Sequence, residues 1–366
     1  MVERILVSTR KGLFTLSRNG GWDISGVDFL GENVSLAMHD PRTGNDFAAL
    51  DHGHFGVKLQ RRKPGGAWEE LKAPAFPPKP EGFVDPDGWG RDIPWNVMRV
   101  WALQPGGADQ PGLIWCGTIP GGVFRSDDDG ENWTFLDSVW SHPKRKKWLG
   151  GGADWPGVHS FCIDPRDSAT LRFGVSCGGV WRSTDKGDTW DVTATGLRAE
   201  WVPPEQVYDP EIQDVHYLAQ SRGEPDKMWV QHHNGIFRTT DSGISWSEIT
   251  GVDPSTFGFA VAVHPQQGDT AWFVPGIKDE QRIPADGAFV VTRTRDGGKS
   301  FEKLTNGLPQ RHAYDIVLRH GLALDETGNT LVMGSSTGGL WVSENQGDNW
   351  KAVSNTLPPV YAVCFA

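Results

Sequence analysis

The chain has 366 residues, among them 46 Gly, 25 Pro and 18 Trp, with 22% charged residues and a formal charge of −11. That acidic balance argues against a nucleic-acid partner, because a phosphate backbone needs a basic surface. No stretch reaches the roughly 18 uninterrupted apolar residues of a membrane helix, and MVERILVSTRKG lacks the apolar core of a secretion signal. Cys116, Cys162, Cys177 and Cys364 show no CxxC spacing. A soluble cytoplasmic protein with reduced thiols and no membrane partner is expected.

In chain order, RILVST (4–9) reads as a strand, followed by GLFTLSRNGGW ending at Trp22. SLAMHDP (35–41) and GHFGVKLQRRKPGGAW, ending at Trp68, repeat that plan after a turn that carries Asp51, His52 and His54. A long Trp/Pro/Gly-rich connection (74–95) leads to VWALQP (100–105) and then RSDDDGENW, ending at Trp133. A second long connection (137–158) holds a basic run, Lys144 to Lys147, read as a solvated loop. SFCIDP (160–165) precedes RSTDKGDTW at Trp190, and a third long connection (196–214) precedes VHYLAQS (215–221). RTTDSGISW ends at Trp246, FAVAVHP (259–265) follows, and RTRDGGKSF ends at Phe301. YDIVLRH (314–320), VSENQGDNW to Trp350 and VYAVCFA (360–366) complete the chain.

The aromatic landmarks are spaced by 46, 65, 57, 56, 55 and 49 residues. About fifty residues per unit is the length of a four-stranded propeller blade. The first unit lacks an innermost strand, and VYAVCFA supplies one from the far end of the chain. The expected fold is all-β: a single seven-bladed β-propeller of four-stranded antiparallel blades. Blade 1 is built from residues 1–30 plus 358–366, and this closure removes exposed sheet edges.

The units Ser126–Trp133, Ser183–Trp190, Thr239–Trp246 and Thr294–Phe301 resemble Asp-boxes (BNR repeats), and Ser343–Trp350 departs from them by carrying Asn345. The resemblance implies a turn between the third and fourth strands, braced by Asp128, Asp185, Asp241, Asp296 and Asn345, and so a structural role for these residues. Sialidases, xyloglucan-active glycoside hydrolases, sortilin-type receptors and photosystem II assembly factors share such boxes, so the fold does not select an activity. Sialidases carry an Arg-Ile-Pro motif before the first box. Here Arg282-Ile283-Pro284 falls between the third and fourth boxes, which argues against that activity.

Chemistry is expected on the opposite, upper face, where the three long connections meet the turns between second and third strands. Aligned inner strands place Arg99, His159, His216, Tyr314 and Tyr361 around the channel mouth. His159, His216, Asp214 and Arg99 are the catalytic candidates. His52, His54, His232, His233, Arg10, Tyr314 and Trp155 are the ligand-binding ones. His54, His159, His216 and His232 or His233 are candidate ligands for a divalent metal such as Zn or Mn, since imidazoles grouped with carboxylates suit such ions. A Cys177 or Cys116 nucleophile with a histidine base is a further arrangement. The glycine runs at 121–122 and 150–152 lack the strand–loop–helix setting of a phosphate loop.

Three functions fit this pattern. The first is binding of a carbohydrate-like or small anionic ligand near blades 2–5, with His/acid-assisted hydrolysis or elimination. The second is a non-catalytic scaffold gripping a protein partner. The third is a glycoside hydrolase using two carboxylates drawn from Asp85, Asp87, Asp92, Asp154, Glu205, Asp209 and Asp214.

Overall fold

The computed structural model describes residues 4–366, so the part of blade 1 expected over residues 1–3 lies outside the described residues. Seven four-stranded antiparallel sheets form. Their innermost strands are Val360–Phe365, Val34–Asp40, Arg99–Pro105, Val158–Ile163, Val215–Gln220, Gly258–Val263 and Leu322–Leu324. Each of these packs against the next, and the last against the first, so the sheets close into a ring. Val360–Phe365 pairs antiparallel with Arg4–Thr9, so the C-terminal strand completes blade 1 as expected.

The core lies in layers between blades. Trp115 and Phe161, Phe173 and Trp181 interleave between blades 3 and 4, and Val180, Val215, Met228 and Trp246 do so between blades 4 and 5. Burying about 200 Å² per large aromatic is what lets short strands hold together.

The recurring acidic turns are fasteners. At the first, the Ser126 hydroxyl donates to Asp128 Oδ1 (2.9 Å) and accepts the Gly130 amide (2.9 Å), while Asp128 Oδ1 also accepts the Asn132 amide (2.9 Å). Gly130 sits at φ 87°, directly after Asp129 at φ 63°, so a side chain at the second position would be strained. The same contacts recur at Asp185, Asp241 and Asp296. Asn345 keeps them with its amide oxygen.

Five inner strands carry one extra residue near their upper end: Ser35, Trp101, His159, His216 and Tyr361 lie opposite breaks in register, and blade 6 has a wider break across Phe259 and Ala260. Such bulges re-aim a side chain. Three of them reach to the next blade. Ser35 Oγ donates to the Val100 carbonyl (3.3 Å), His159 Nε2 to that of Val215 (2.7 Å), and His216 Nδ1 to that of Gly258 (2.7 Å). Each acceptor immediately precedes the neighbouring bulge.

Blade 7 differs from the expected pattern. Residues 314–320 are not a strand, and the inner strand is only Leu322–Leu324. The Asp315 carboxylate accepts hydrogen bonds from the hydroxyls of Ser335 and Thr337, and the segment meets blade 1 at a parallel bridge between His320 and Ala362. Tyr314 is consequently 59% exposed and belongs to no ring at the mouth. Arg99 is likewise two residues from the bulge position, which Trp101 fills.

Candidate functional site

A cavity of about 310 Å³ opens on the upper face. Its floor comes from blade 5: Asp214 at the end of the third long connection, His216 in the bulge two residues on, and His233 in the turn after Met228–His232. The His233 amide donates to the Asp214 carbonyl (3.0 Å), which fixes that turn over the start of the inner strand. Asp214 Oδ2 lies 3.6 Å from His216 Nε2 and 3.4 Å from His233 Nδ1. Asp214 Oδ1 is buried without a hydrogen-bond partner.

Arg319 enters from blade 7. It is 6% exposed, its guanidinium lies over the Trp101 ring (4.7 Å) and near that of Phe259 (5.6 Å), and its Nε and Nη2 have no partner. Asp279 and Arg282 form the wall from blade 6, ion-paired at 2.6 Å. The second connection folds over the cavity as a glycine roof. A Cβ on Gly152 would lie 2.4 Å from Arg319 Nη2, and one on Gly151 would lie 2.7 Å from both Cys177 Sγ and Ser176 Oγ. Gly152 therefore serves close approach to a guanidinium, and Gly151 to a thiol and a hydroxyl. Trp89 and Trp201, 60% and 38% exposed, stand at the rim.

Burial alone would raise the Asp214 carboxyl, but His216, His233 and Arg319 outweigh it and hold the pKa well below the usual carboxylate range. Burial pushes His216 down, against the pull of Asp214, whereas the Asp214 contact raises His233. Burial also draws the Arg319 guanidinium down to about 10. The Cys177 thiol is pushed well up by burial and further by the Asp214 carboxylate, so it is protonated at neutral pH and unsuited to nucleophilic attack. Cys116 is raised by burial alone.

The other sequence candidates lie elsewhere. His159 is fully buried, donating from Nε2 to Val215 and accepting at Nδ1 from the Ser160 hydroxyl (3.0 Å), which commits both ring nitrogens to the scaffold. His232 Nδ1 accepts the Asn234 amide (3.1 Å) in its own turn. His52 pairs with Glu32 at 2.8 Å, and His54 is exposed against Phe55. Arg99 is held by Asp51 (2.8 Å), Arg10 is exposed on the first turn, and Trp155 lies beneath the Arg91 guanidinium (4.6 Å). The four expected metal ligands therefore do not converge. Of them His216 joins the cluster, with His233, the alternative to His232, and Asp214 as its companions.

Of the loop carboxylates, Asp85 is bound to Arg145 and Trp95, Asp87 to Arg91, Asp92 to Lys79 and Asp209 to Lys147. Asp214 lines the cavity, and its carboxylate companion there is Asp279. Arg319 and Asp279 were missed by sequence reading. Arg319 immediately precedes His320, in a segment aligned as regular strand. Its only visible signal was an arginine ahead of an inner strand, facing the same channel as His216.

A larger cavity, about 540 Å³, opens beside Tyr314 and Trp341. Its carboxylate, Asp315, is already occupied by Ser335 and Thr337, so the chemistry concentrates at the smaller one.

No family model matches the chain. Part of it is similar to the xyloglucanase Xgh74A of Acetivibrio thermocellus, 31% identical over 152 residues, or 36% of this chain and 16% of that protein. A longer match, 25% identical over 307 residues, is to the oligoxyloglucan-reducing end-specific xyloglucanase of Emericella nidulans, covering 77% of this chain and 34% of that one. The chain thus spans about a third or less of the length of these relatives. Among solved structures, an ancestral GH74 enzyme superposes with TM-score 0.58 at 15% identity, over 89% of this chain and 39% of the other. YCF48 bound to D1 peptide gives TM-score 0.53 at 15% identity, over 88% and 81%. At such identities the structural likeness shows the propeller fold alone.

Proposed function

We propose that this propeller binds an oligosaccharide across its upper mouth and hydrolyses a glycosidic bond in the cavity beneath the Gly150–Gly152 roof. The observation that carries this reading is Asp214, a carboxylate held ionised by its basic neighbours, lining a cavity flanked by exposed Trp89 and Trp201. Flat indole faces suit the apolar faces of sugar rings, and the Asp214 carboxylate suits a base that takes a proton from an attacking water. Arg319 and Arg282 face the same space and suit developing negative charge on oxygen. Water adds to the anomeric carbon as Asp214 takes its proton, and the departing oxygen takes a proton from the carboxyl of Asp279, the other acid lining the cavity, once Asp279 is released from Arg282. Sequence similarity to xyloglucanases, partial as it is, supports a glycan as the ligand class. The four free cysteines fit a reducing, cytoplasmic setting, and so an oligosaccharide taken up after cleavage elsewhere.

Release of reducing ends from xyloglucan oligosaccharides and related β-glucans tests the reading. Wild-type protein should release them, and Asp214→Asn should lose at least about 100-fold of the rate while keeping its melting temperature within a few degrees. Equal rates in the two proteins, or sugar release by neither, would remove Asp214 from this role.

A further inference from the structure

Three potential ligand atoms meet on the floor of the cavity. One ligand atom from each of Asp214, His216 and His233 lies within 4.8 Å of the other two, and Asp214 Oδ2 is 3.6 Å from His216 Nε2 and 3.4 Å from His233 Nδ1. Ligand atoms about 2.1 Å from a tetrahedral or octahedral ion stand roughly 3.0–3.4 Å apart. The two separations from the carboxylate oxygen are therefore close to the right size before any adjustment. It is the only such group among the described residues.

The tautomer of His216 points the same way. Its Nδ1 is 2.7 Å from the Gly258 carbonyl, which offers no proton, so Nδ1 carries the hydrogen. That leaves Nε2 as the nitrogen facing the Asp214 carboxylate oxygen, 3.6 Å away, with room for a cation to bridge them. A proton there would serve one imidazole–carboxylate contact, whereas a metal ion serves all three groups together. A backbone carbonyl on the far ring nitrogen is also the usual way a ligating histidine is oriented. Finally, Asp214 is 5% exposed, yet its Oδ1 has no partner and lies beside the cavity.

We infer that Asp214, His216 and His233 bind one divalent transition-metal ion, of the Zn²⁺ or Mn²⁺ class. Two imidazole nitrogens and one carboxylate oxygen, with no thiolate, match that class better than the all-oxygen sets of Ca²⁺ or Mg²⁺. Three protein ligands leave coordination positions open toward the cavity, the arrangement of a site that holds a water or a substrate oxygen. The inference uses the same cavity as the proposed hydrolysis but does not depend on a sugar being the ligand.

The test is metal content and affinity of untagged protein purified without chelator, followed by titration of the stripped protein with Zn²⁺ and Mn²⁺. Close to one equivalent should bind, and His233→Ala and His216→Ala should each weaken binding by about 100-fold or more. His54→Ala, remote from the cluster, should leave affinity unchanged. His233 is partly exposed, so its variant should remain folded, and a Co²⁺ visible spectrum lost in that variant would confirm it as a ligand. Absence of stoichiometric binding in the wild type, or unchanged affinity in folded His233→Ala, would overturn the site. Xyloglucan oligosaccharide binding measured on the same preparations separates the two readings. Metal without sugar would leave this inference standing and sink the proposed function, and sugar without metal would do the reverse.

Discussion

Replacing Asp46 with Asn should unfasten blade 1 from blade 2 beside the point where the ring closes. Asp46, buried on the strand Asn45–Asp51, holds Arg4 (2.9 Å) of the neighbouring blade, together with Arg62 (3.0 Å) and His39 (2.8 Å). Burial by itself would raise the Asp46 carboxyl, but these three partners bring it from 3.8 down to about 2. That drop of nearly two units corresponds to about 2.5 kcal/mol favouring the folded state. Because the folded-state pKa is the lower one, this stability is fully present above about pH 4 and is lost as pH falls through about 2. Urea denaturation of wild type and Asp46→Asn should differ by about 2–3 kcal/mol at pH 7, and the gap should narrow steadily between about pH 4 and pH 2. A gap under about 0.5 kcal/mol at pH 7, or one that does not change with pH, would refute the assignment.

The remaining expectations concern the two faces and the roof between them. Asp241→Ala removes an acceptor for the Ile244 and Ser245 amides on an exposed turn, so denaturation should show a loss of about 1 kcal/mol with unchanged sugar affinity. Trp201→Ala, at the rim, should weaken oligosaccharide binding about tenfold by calorimetry with little effect on melting. Gly152→Ala should disturb the Arg319 guanidinium, costing about 1–3 kcal/mol in urea and lowering sugar affinity. Iodoacetamide should fail to modify Cys177 in the folded protein at pH 7.5 and should react once urea exposes it.

The ring was readable because its signals are local and repeated. A Ser/Thr, an acid, a glycine and an aromatic at fixed offsets specify one turn, and seven landmarks count the blades. VYAVCFA was recognisable as the missing inner strand because the first unit visibly lacked one. The site was only half readable. Asp214 and His216 stand two residues apart, and the sequence marks both as upper-face polar groups. Which histidines join them depends on bulges that turn side chains by a residue's width, and no composition rule reports those. His159 has the same alignment as His216, yet the adjacent Ser160 hydroxyl and the Val215 carbonyl use up its ring. His54 shares the upper face but sits on blade 2, against Phe55. Arg319 stayed hidden because it sits where blade 7 departs from the repeat. The glycines at 150–152 lack the setting of a phosphate loop, and what requires them is close approach: of Gly150 to the Asp154 backbone, of Gly151 to Cys177 and of Gly152 to Arg319.

A crystal structure of the protein soaked with a xyloglucan oligosaccharide locates the working face most directly. Sugar rings lying against Trp89 and Trp201, with a glycosidic oxygen directed at Asp214, is the expected result. Sugar bound on the face of the acidic turns, or in the cavity beside Tyr314 with the Asp214 cavity open to solvent, would contradict it.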